Sequence, residues 1–256
     1  QESYTYEKKK KKPSVYVDLN GKTLTKDVDC TISYLNNINV GIATVTITGI
    51  GNYTGIVIKE FTIEEIKTSG SCGDDLTWKI SGADNKLTLI ISGTGTMTDY
   101  SSLYEVPWHN CASSITSLII EEGVDTIGEN AFVDFTAIEN VEIPKSIKAI
   151  GNGAFTNMDK IEGIVITDGV TSIGERSFYS CDKLSYVEIA GSVTSVGSSA
   201  FSDCNSLNEV IFCGNAPEIG IHCFNNTSDL NIYYPETAIG WDVNIQQPYN
   251  LCKWQK

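Results

Sequence analysis

Apolar positions along this chain keep two different periods. Over residues 1–65 they alternate with polar ones: Val15-Tyr16-Val17, Thr31-Ile32-Ser33-Tyr34, Ala43–Thr48 and Ile56–Ile63 are separated by Asn20-Gly21, Asn36-Asn37 and Gly49-Ile50-Gly51-Asn52. Period-two alternation of β-branched residues marks strands buried on one face, and the Asn and Gly pairs supply turns. This stretch therefore predicts antiparallel strands packed as a small β-sandwich, with a first strand near Tyr4–Tyr6. A longer period takes over after residue 115. Ile127-Gly128…Phe132 returns as Ile150-Gly151…Phe155, Ile173-Gly174…Phe178, Val196-Gly197…Phe201 and Ile219-Gly220…Phe224, each 23 residues after the last. A fixed step of this length means stacked copies of one small unit, each closing its neighbour's apolar face, which is a solenoid.

The units align as Ile115–Ala137, Ile138–Lys160, Ile161–Lys183, Leu184–Ser206 and Leu207–Asp229. Each opens on a strand pattern such as Leu184/Val187/Ile189, continues through a second short extended piece such as Gly169–Gly174, and ends in a turn carrying Ala and Phe, as in Ser199-Ala200-Phe201. The expected coil has two parallel strands, stacked on its neighbours at about 4.8 Å, and one short helical turn. Phe132, Phe155, Phe178, Phe201 and Phe224 should form an inner ladder. A second slot reads Phe135, Met158, Cys181, Cys204 and Thr227, which makes Cys181 and Cys204 soft core filler. Ahead of the repeats, Leu76–Ile80 and Leu87–Ser92 flank a turn-rich Ser81–Lys86, the signature of a hairpin, with Trp78, Met97 and Trp108 as filler. An unrepeated element at this place is expected to cap the exposed edge of the first coil. Trp241 and Trp254 offer bulk for a cap at the other end. The organisation is thus a sandwich at 1–65, a linker at 66–71, an N-terminal cap at 72–114, five repeats at 115–229 and a C-terminal cap at 230–256.

Charge divides the chain in the same way. Residues 1–70 hold 9 Lys and Arg against 8 Asp and Glu, which out of 18 and 32 leaves 9 against 24 in residues 71–256, a net of −15. Phosphate backbones and anionic membranes need clustered cations, so neither nucleic acid nor a membrane surface is an expected partner of the repeats. No run approaches the roughly 20 apolar residues of a membrane span, so no membrane insertion is expected. Lys8–Lys12 reads as a solvated turn between the first two strands. Cys30, Cys72, Cys111, Cys213 and Cys252 fall outside the ladder slots, and their pairing is open; a Cys72–Cys111 bridge across the mouth of the solenoid is one arrangement the positions allow.

His109 and His222 lie far apart, and no G-x-S-x-G, H-E-x-x-H, C-x-x-C, P-loop or dinucleotide fingerprint occurs. No catalytic residue, metal site or cofactor is expected, and the chain is not read as an enzyme. The candidate binding surface is instead the outer face of the strands, since alternate side chains must point away from the core. Its middle column reads Ile119, Glu142, Val165, Glu188 and Ile211, and Tyr186 and Glu209 stand two residues earlier in their own repeats.

Residues Cys72–Trp254 resemble the BspA-like leucine-rich repeat family. Units such as Ile161–Cys181 carry its period, its Ile173-Gly174 pair, its Ser177-Phe178 and its Cys181 together, and Cys72–Trp78 with Ile91–Met97 look like the front of such proteins. Residues 13–63, through Asp27–Asp29, Asn37–Gly41 and Gly49–Phe61, are similar to Ig-like repeats of bacterial, mostly Gram-positive, surface proteins. The resemblance implies a secreted, extracellular, cell-surface protein whose relatives are described as adhesins or host-binding proteins. The expected function is a non-enzymatic binding or adhesion module for an unidentified host or matrix protein or glycan. The alternatives are an architectural stalk and, behind it, a polysaccharide-active enzyme.

Overall fold

The computed structural model describes residues 3–5, 10–65, 67–83, 86–227, 229–242 and 253–255. The chain divides into two compact units, Gln1–Ile66 and Lys67–Lys256.

In the first unit, β1 (Ser3–Thr5), β2 (Asp18–Leu19), β3 (Lys22–Thr23), β4 (Cys30–Leu35), β5 (Gly41–Gly49) and β6 (Ile56–Glu64) form one sheet of order β1-β6-β5-β4 and a separate β2-β3 hairpin. Asn20 and Gly21 turn that hairpin with φ of 53° and 82°, the left-handed pair that a two-residue turn requires. β1 joins β6 in parallel and the other pairs are antiparallel. Two facing sheets are not seen among the described residues. Val15–Val17, expected as a strand, is an extended run without a ladder: Lys11 N–H donates to Asn37 O, Asn37 Nδ2 to Lys11 O and Tyr34 Oη to Pro13 O, so neighbouring side chains and loops tether the run. Val15 packs on the small core of Ala43, Val45, Phe61 and Ile63. Lys10 and Lys12 are exposed; residues 6–9 lie outside the described residues.

The second unit begins with β7 (Ser69–Ser71), so part of the stretch expected as linker is an edge strand against β8 (Asp75–Ala83). β8 pairs antiparallel with β9 (Lys86–Thr96), whose eleven residues reach well beyond the expected hairpin. That length has a purpose. The first half of β9 pairs in parallel with β10 (Ile115–Ile120), and its end, at Gly95 and Thr96, pairs in parallel with β11 (Val124–Ile127). One bent strand thus serves as first rung for two walls. Gly93, at φ 114° with Asp75 O crowding the place where a Cβ would stand, is the residue that allows the bend.

One wall continues from β11 through β12 (Ala149–Ile150), β14 (Ser172–Ile173), β16 (Ser195–Val196) and β18 (Glu218–Ile219). The other holds β13 (Gly163–Ile166), β15 (Tyr186–Ile189), β17 (Glu209–Phe212), β19 (Asn231–Tyr233) and β20 (Lys253–Gln255), all parallel. Residues 138–143 of the second coil, expected as a strand, are in neither wall.

The turns that close the coils are not helical. Among the described residues the only helical segments are two 3-10 pieces, Leu103–Glu105 and His109–Ser114. Each coil instead places two residues of its turn at positive φ, for example Arg176 and Ser180 or Ser199 and Asp203, which breaks the run of negative φ a helix needs. Their N–H groups find partners in the next coil: Phe132 donates to Ala154 O, Phe155 to Ser177 O, Phe178 to Ala200 O and Phe201 to Cys223 O, at 2.7–2.9 Å. The turns form a third hydrogen-bonded ladder.

Inside it the rings stack one per coil. Trp108, Phe132, Phe155, Phe178, Phe201 and Phe224 follow at centroid spacings of 5.8, 5.4, 5.1, 5.3 and 5.9 Å, all near parallel. Cys181 and Cys204 are buried, and their thiols donate to Phe155 O and Phe178 O. No described cysteine forms a disulfide, so no Cys72–Cys111 bridge closes the solenoid. The mouth is packed instead by Trp78 against Trp108, and Cys111 Sγ donates to Trp108 O. Cys252 and the side chain of Trp254 lie outside the described residues, whereas Trp241 stacks on Tyr234.

Candidate functional site

Parallel register decides which of the seven candidate residues meet. Val165, Glu188 and Ile211 fall on one row across β13, β15 and β17, and Tyr186 and Glu209 lie side by side on the adjacent outward row. Ile119 does not join them, because β10 pairs with β9 in the front sheet, where Ile119 stands opposite Ile90. Glu142 lies on the unpaired segment of the second coil and is exposed. The expected single surface is therefore five residues on one sheet and two residues apart from it.

Two residues extend the five-residue patch. Tyr233 continues the row beyond Ile211, and Asn231 continues the row beyond Glu209. Both stand 22 positions after their neighbours rather than 23, so a search at strict period passes over them.

Chemically the patch is apolar at its edge and acidic at its centre. Val165 is 47% exposed, while Tyr186, Glu188, Glu209 and Ile211 are half-buried. Tyr186 lies beside Gly163 on the neighbouring strand. Its Oη donates to Glu188 Oε2 at 2.6 Å, and the Cys213 thiol approaches the other carboxylate oxygen at 3.8 Å. The bond to Glu188, followed by burial, pushes the Tyr186 phenol up to about 12; burial and then Glu188 raise the Cys213 thiol. Both donors stay protonated at neutral pH.

This sets a pH dependence. The folded value of Tyr186 lies above that of a free tyrosine, about 10, so the contribution of its bond is whole below that pH and is lost as pH rises towards 12. Wild type should lose more thermal stability between about pH 10 and 12 than Tyr186→Phe, as read by calorimetry, and the variant should lack one phenol of midpoint about 12 in an ultraviolet titration. Identical alkaline losses in the two proteins would show that the bond is absent.

Other features disperse chemistry rather than gather it. His109 packs edge-on against Tyr104 at the front, and His222 bonds Asn225 in the last coil. A hollow of about 730 Å³ runs along the glycine row of the β11–β18 wall, with Glu129 and Glu175 set two coils apart along it. Among the described residues no group of His, Cys, Asp and Glu is arranged to hold a metal, and no helix is long and apolar enough to cross a membrane.

No curated protein matches the chain. Among solved structures it is similar to a leucine-rich repeat protein of Eubacterium ventriosum, at 22% identity and TM-score 0.45 over 56% of this chain, which spans only 43% of that protein. It is similar also to the T. pallidum leucine-rich repeat protein, at 22% and 0.46 over 69% of this chain and 95% of that one. A leucine rich cell surface protein of Faecalibacterium prausnitzii is 17% identical, with TM-score 0.33 over 62% of this chain and 74% of that one. The BspA type leucine-rich repeat region matches residues 102–231 in six copies. With its period, ring ladder and stacked walls covered by that match, the chain belongs to the family of BspA type leucine-rich repeat proteins.

Proposed function

We propose that the chain is a non-enzymatic cell-surface binding or adhesion module, whose parallel sheet presents Val165, Tyr186, Glu188, Glu209 and Ile211 to a host or matrix protein or glycan. Leucine-rich repeat chains are generally protein-binding surface modules. The observation that supports the reading here is the fixed register of the patch: β15 and β17, paired on both sides, and β13, paired with β15, hold an aromatic ring, two acids and two aliphatic groups in one place before any partner arrives. Side chains already ordered lose little freedom on binding, and an aromatic residue is among the types in which binding energy concentrates. The acidity of the repeats favours a partner with a basic rim. In this reading the segments 72–114 and 230–256 seal the two ends, 66–71 joins the units, 1–65 serves as an Ig-like spacer, and the protein works outside the cell without a cofactor.

An array of matrix proteins and glycans probed with the full chain tests it. Saturable binding to a ligand should fall by about tenfold or more in Tyr186→Ala/Glu188→Lys, with the cooperative unfolding transition retained and a Tm lower only by the loss of the bond between these two residues. Undiminished affinity for that ligand would remove the patch from the function. An array without any saturable ligand would favour the stalk.

A further inference from the structure

The outer wall is interrupted on both sides of its second coil, and on the β10 side a proline removes one of the bonds. β10 pairs only with β9 and β13 only with β15. Among the described residues no backbone hydrogen bond joins residues 139–144 to either strand. At three other joints the pattern is regular: Glu121 N–H donates to Ile91 O at 3.0 Å, Ala190 N–H to Ile166 O at 3.1 Å and Cys213 N–H to Ile189 O at 2.8 Å, whereas Thr167, in this slot of the third coil, makes no such bond to Ile143 O. The residue in the same slot of the second coil is Pro144, which has no N–H to give. The carbonyl it would have reached is that of Ile120. In a parallel strand, N–H and C=O groups face alternate sides, so Leu118 and Ile120 turn theirs towards the gap.

The second coil is nevertheless firmly placed. On the opposite wall β12 pairs with both β11 and β14. Val141 and Ile143 are buried, Ser146 Oγ donates to Val124 O, and the Lys145 and Ser146 N–H groups donate to the Glu122 carboxylate. The unpaired backbone is thus a fixed feature of the wall.

Above the gap lies a groove of about 590 Å³. Ser117 and Ile119 form one side, with Ile119 45% exposed, and Glu139 and Glu142 form the other. Both carboxylates are exposed, and among the described residues neither makes an ion pair. Unpaired main-chain groups, an apolar side chain and two exposed carboxylates, against the single cation Lys145 in the same groove, together define a complementary ligand. It must be extended to offer its own N–H and C=O groups, and it must alternate apolar and cationic side chains to meet Ile119 and the two acids at once.

We infer that this groove docks an extended, basic segment of a partner protein, bound through its main chain and selected by Glu139 and Glu142. The inference extends the binding-module reading to a second surface and shares no residue with the Tyr186 patch. The main chain supplies affinity in this mode, and charge supplies selection.

The probes are two short capped peptides, one alternating Lys and Val and the other alternating Glu and Val, titrated calorimetrically into the full chain. The Lys-Val peptide should bind saturably with one site, and the Glu-Val peptide should not bind. Glu139→Lys/Glu142→Lys should weaken the Lys-Val peptide by about tenfold or more, about 1.4 kcal/mol. Pro144→Ala should restore the donor towards Ile120 O, narrow the gap on the β10 side and weaken the same peptide to a similar degree, with a Tm no lower than that of wild type. Tyr186→Ala should leave this peptide unaffected, which separates failure here from failure of the sheet-face proposal. No saturable binding, equal binding of the two peptides, or loss with the charge reversal alone while folded Pro144→Ala binds normally, would each overturn the inference; the last would reduce it to unspecific charge attraction.

Discussion

Phe178→Ala should lower the free energy of unfolding by about 3–5 kcal/mol, the range for deleting a fully buried ring. Phe178 is 0% exposed and stands in the middle of the aromatic column, 5.1 Å from Phe155 and 5.3 Å from Phe201. The substitution removes buried area, leaves a cavity and ends two stacked contacts at once, each of which adds roughly 0.5–1.5 kcal/mol beyond area. Position adds a second consequence. Solenoid stability is close to a sum of coil and interface terms, so weakening an interior joint uncouples the coils on either side and should broaden the urea transition as well as shift it. Phe178→Leu keeps most of the volume and loses only the stacking, so it should cost about 1–2 kcal/mol and leave the transition sharp. Equilibrium unfolding by urea measures all three proteins. A Phe178→Ala protein within about 1 kcal/mol of wild type would mean that the ring column does not hold the coils together.

The column could be read from the chain because its cause is local and repeated: a Phe that recurs at a strict step has the same neighbours in every coil. The same holds for the Ile-Gly pair and for the two walls, whose strands follow from alternation. What could not be read depended on groups distant in sequence. Pro144 looks like an ordinary strand exit until Glu121, Ala190 and Cys213 show that this slot donates an N–H in other coils, and so Glu142 was expected on a sheet that does not reach it. The turns resembled helix because Ala200 and Phe201 suit one, whereas the positive φ of Ser199 and Asp203 is set by hydrogen bonds to the following coil. Tyr186 and Glu188, two apart on a strand, share a face by simple periodicity; Cys213, one residue past β17, reaches Glu188 only through the stacking of coils. In the first unit the tethering of residues 11–17 through Asn37 and Tyr34 left no signal in their alternation, which is that of a strand.

Glycine placement gives the sharpest contrast between two chemically identical substitutions. At Gly197 an added Cβ would overlap Glu175 N and stand 2.5 Å from Gly174 C, and at Gly220 it would overlap Ser198 N. These atoms are backbone of the preceding coil, themselves fixed by ladder bonds such as Gly197 N–H to Ile173 O at 2.8 Å, so they have no soft direction in which to yield. Gly197→Ala must therefore push neighbouring coils away from each other along a wall that is also tied through the core, and should cost about 3 kcal/mol or more. At Gly163 the nearest atom to an added Cβ is Tyr186 Cδ1 at 3.6 Å, ordinary contact distance. Gly163→Ala removes a flexible residue from a strand without a clash and should be neutral or stabilising by up to roughly 1 kcal/mol. Urea midpoints of the two variants against wild type decide the matter. Equal effects would mean that the coils slide freely past one another at the glycine row, and a free row of that kind is incompatible with the close ring spacing and the short bonds of the turn ladder, both of which require the coils to stand at one fixed separation.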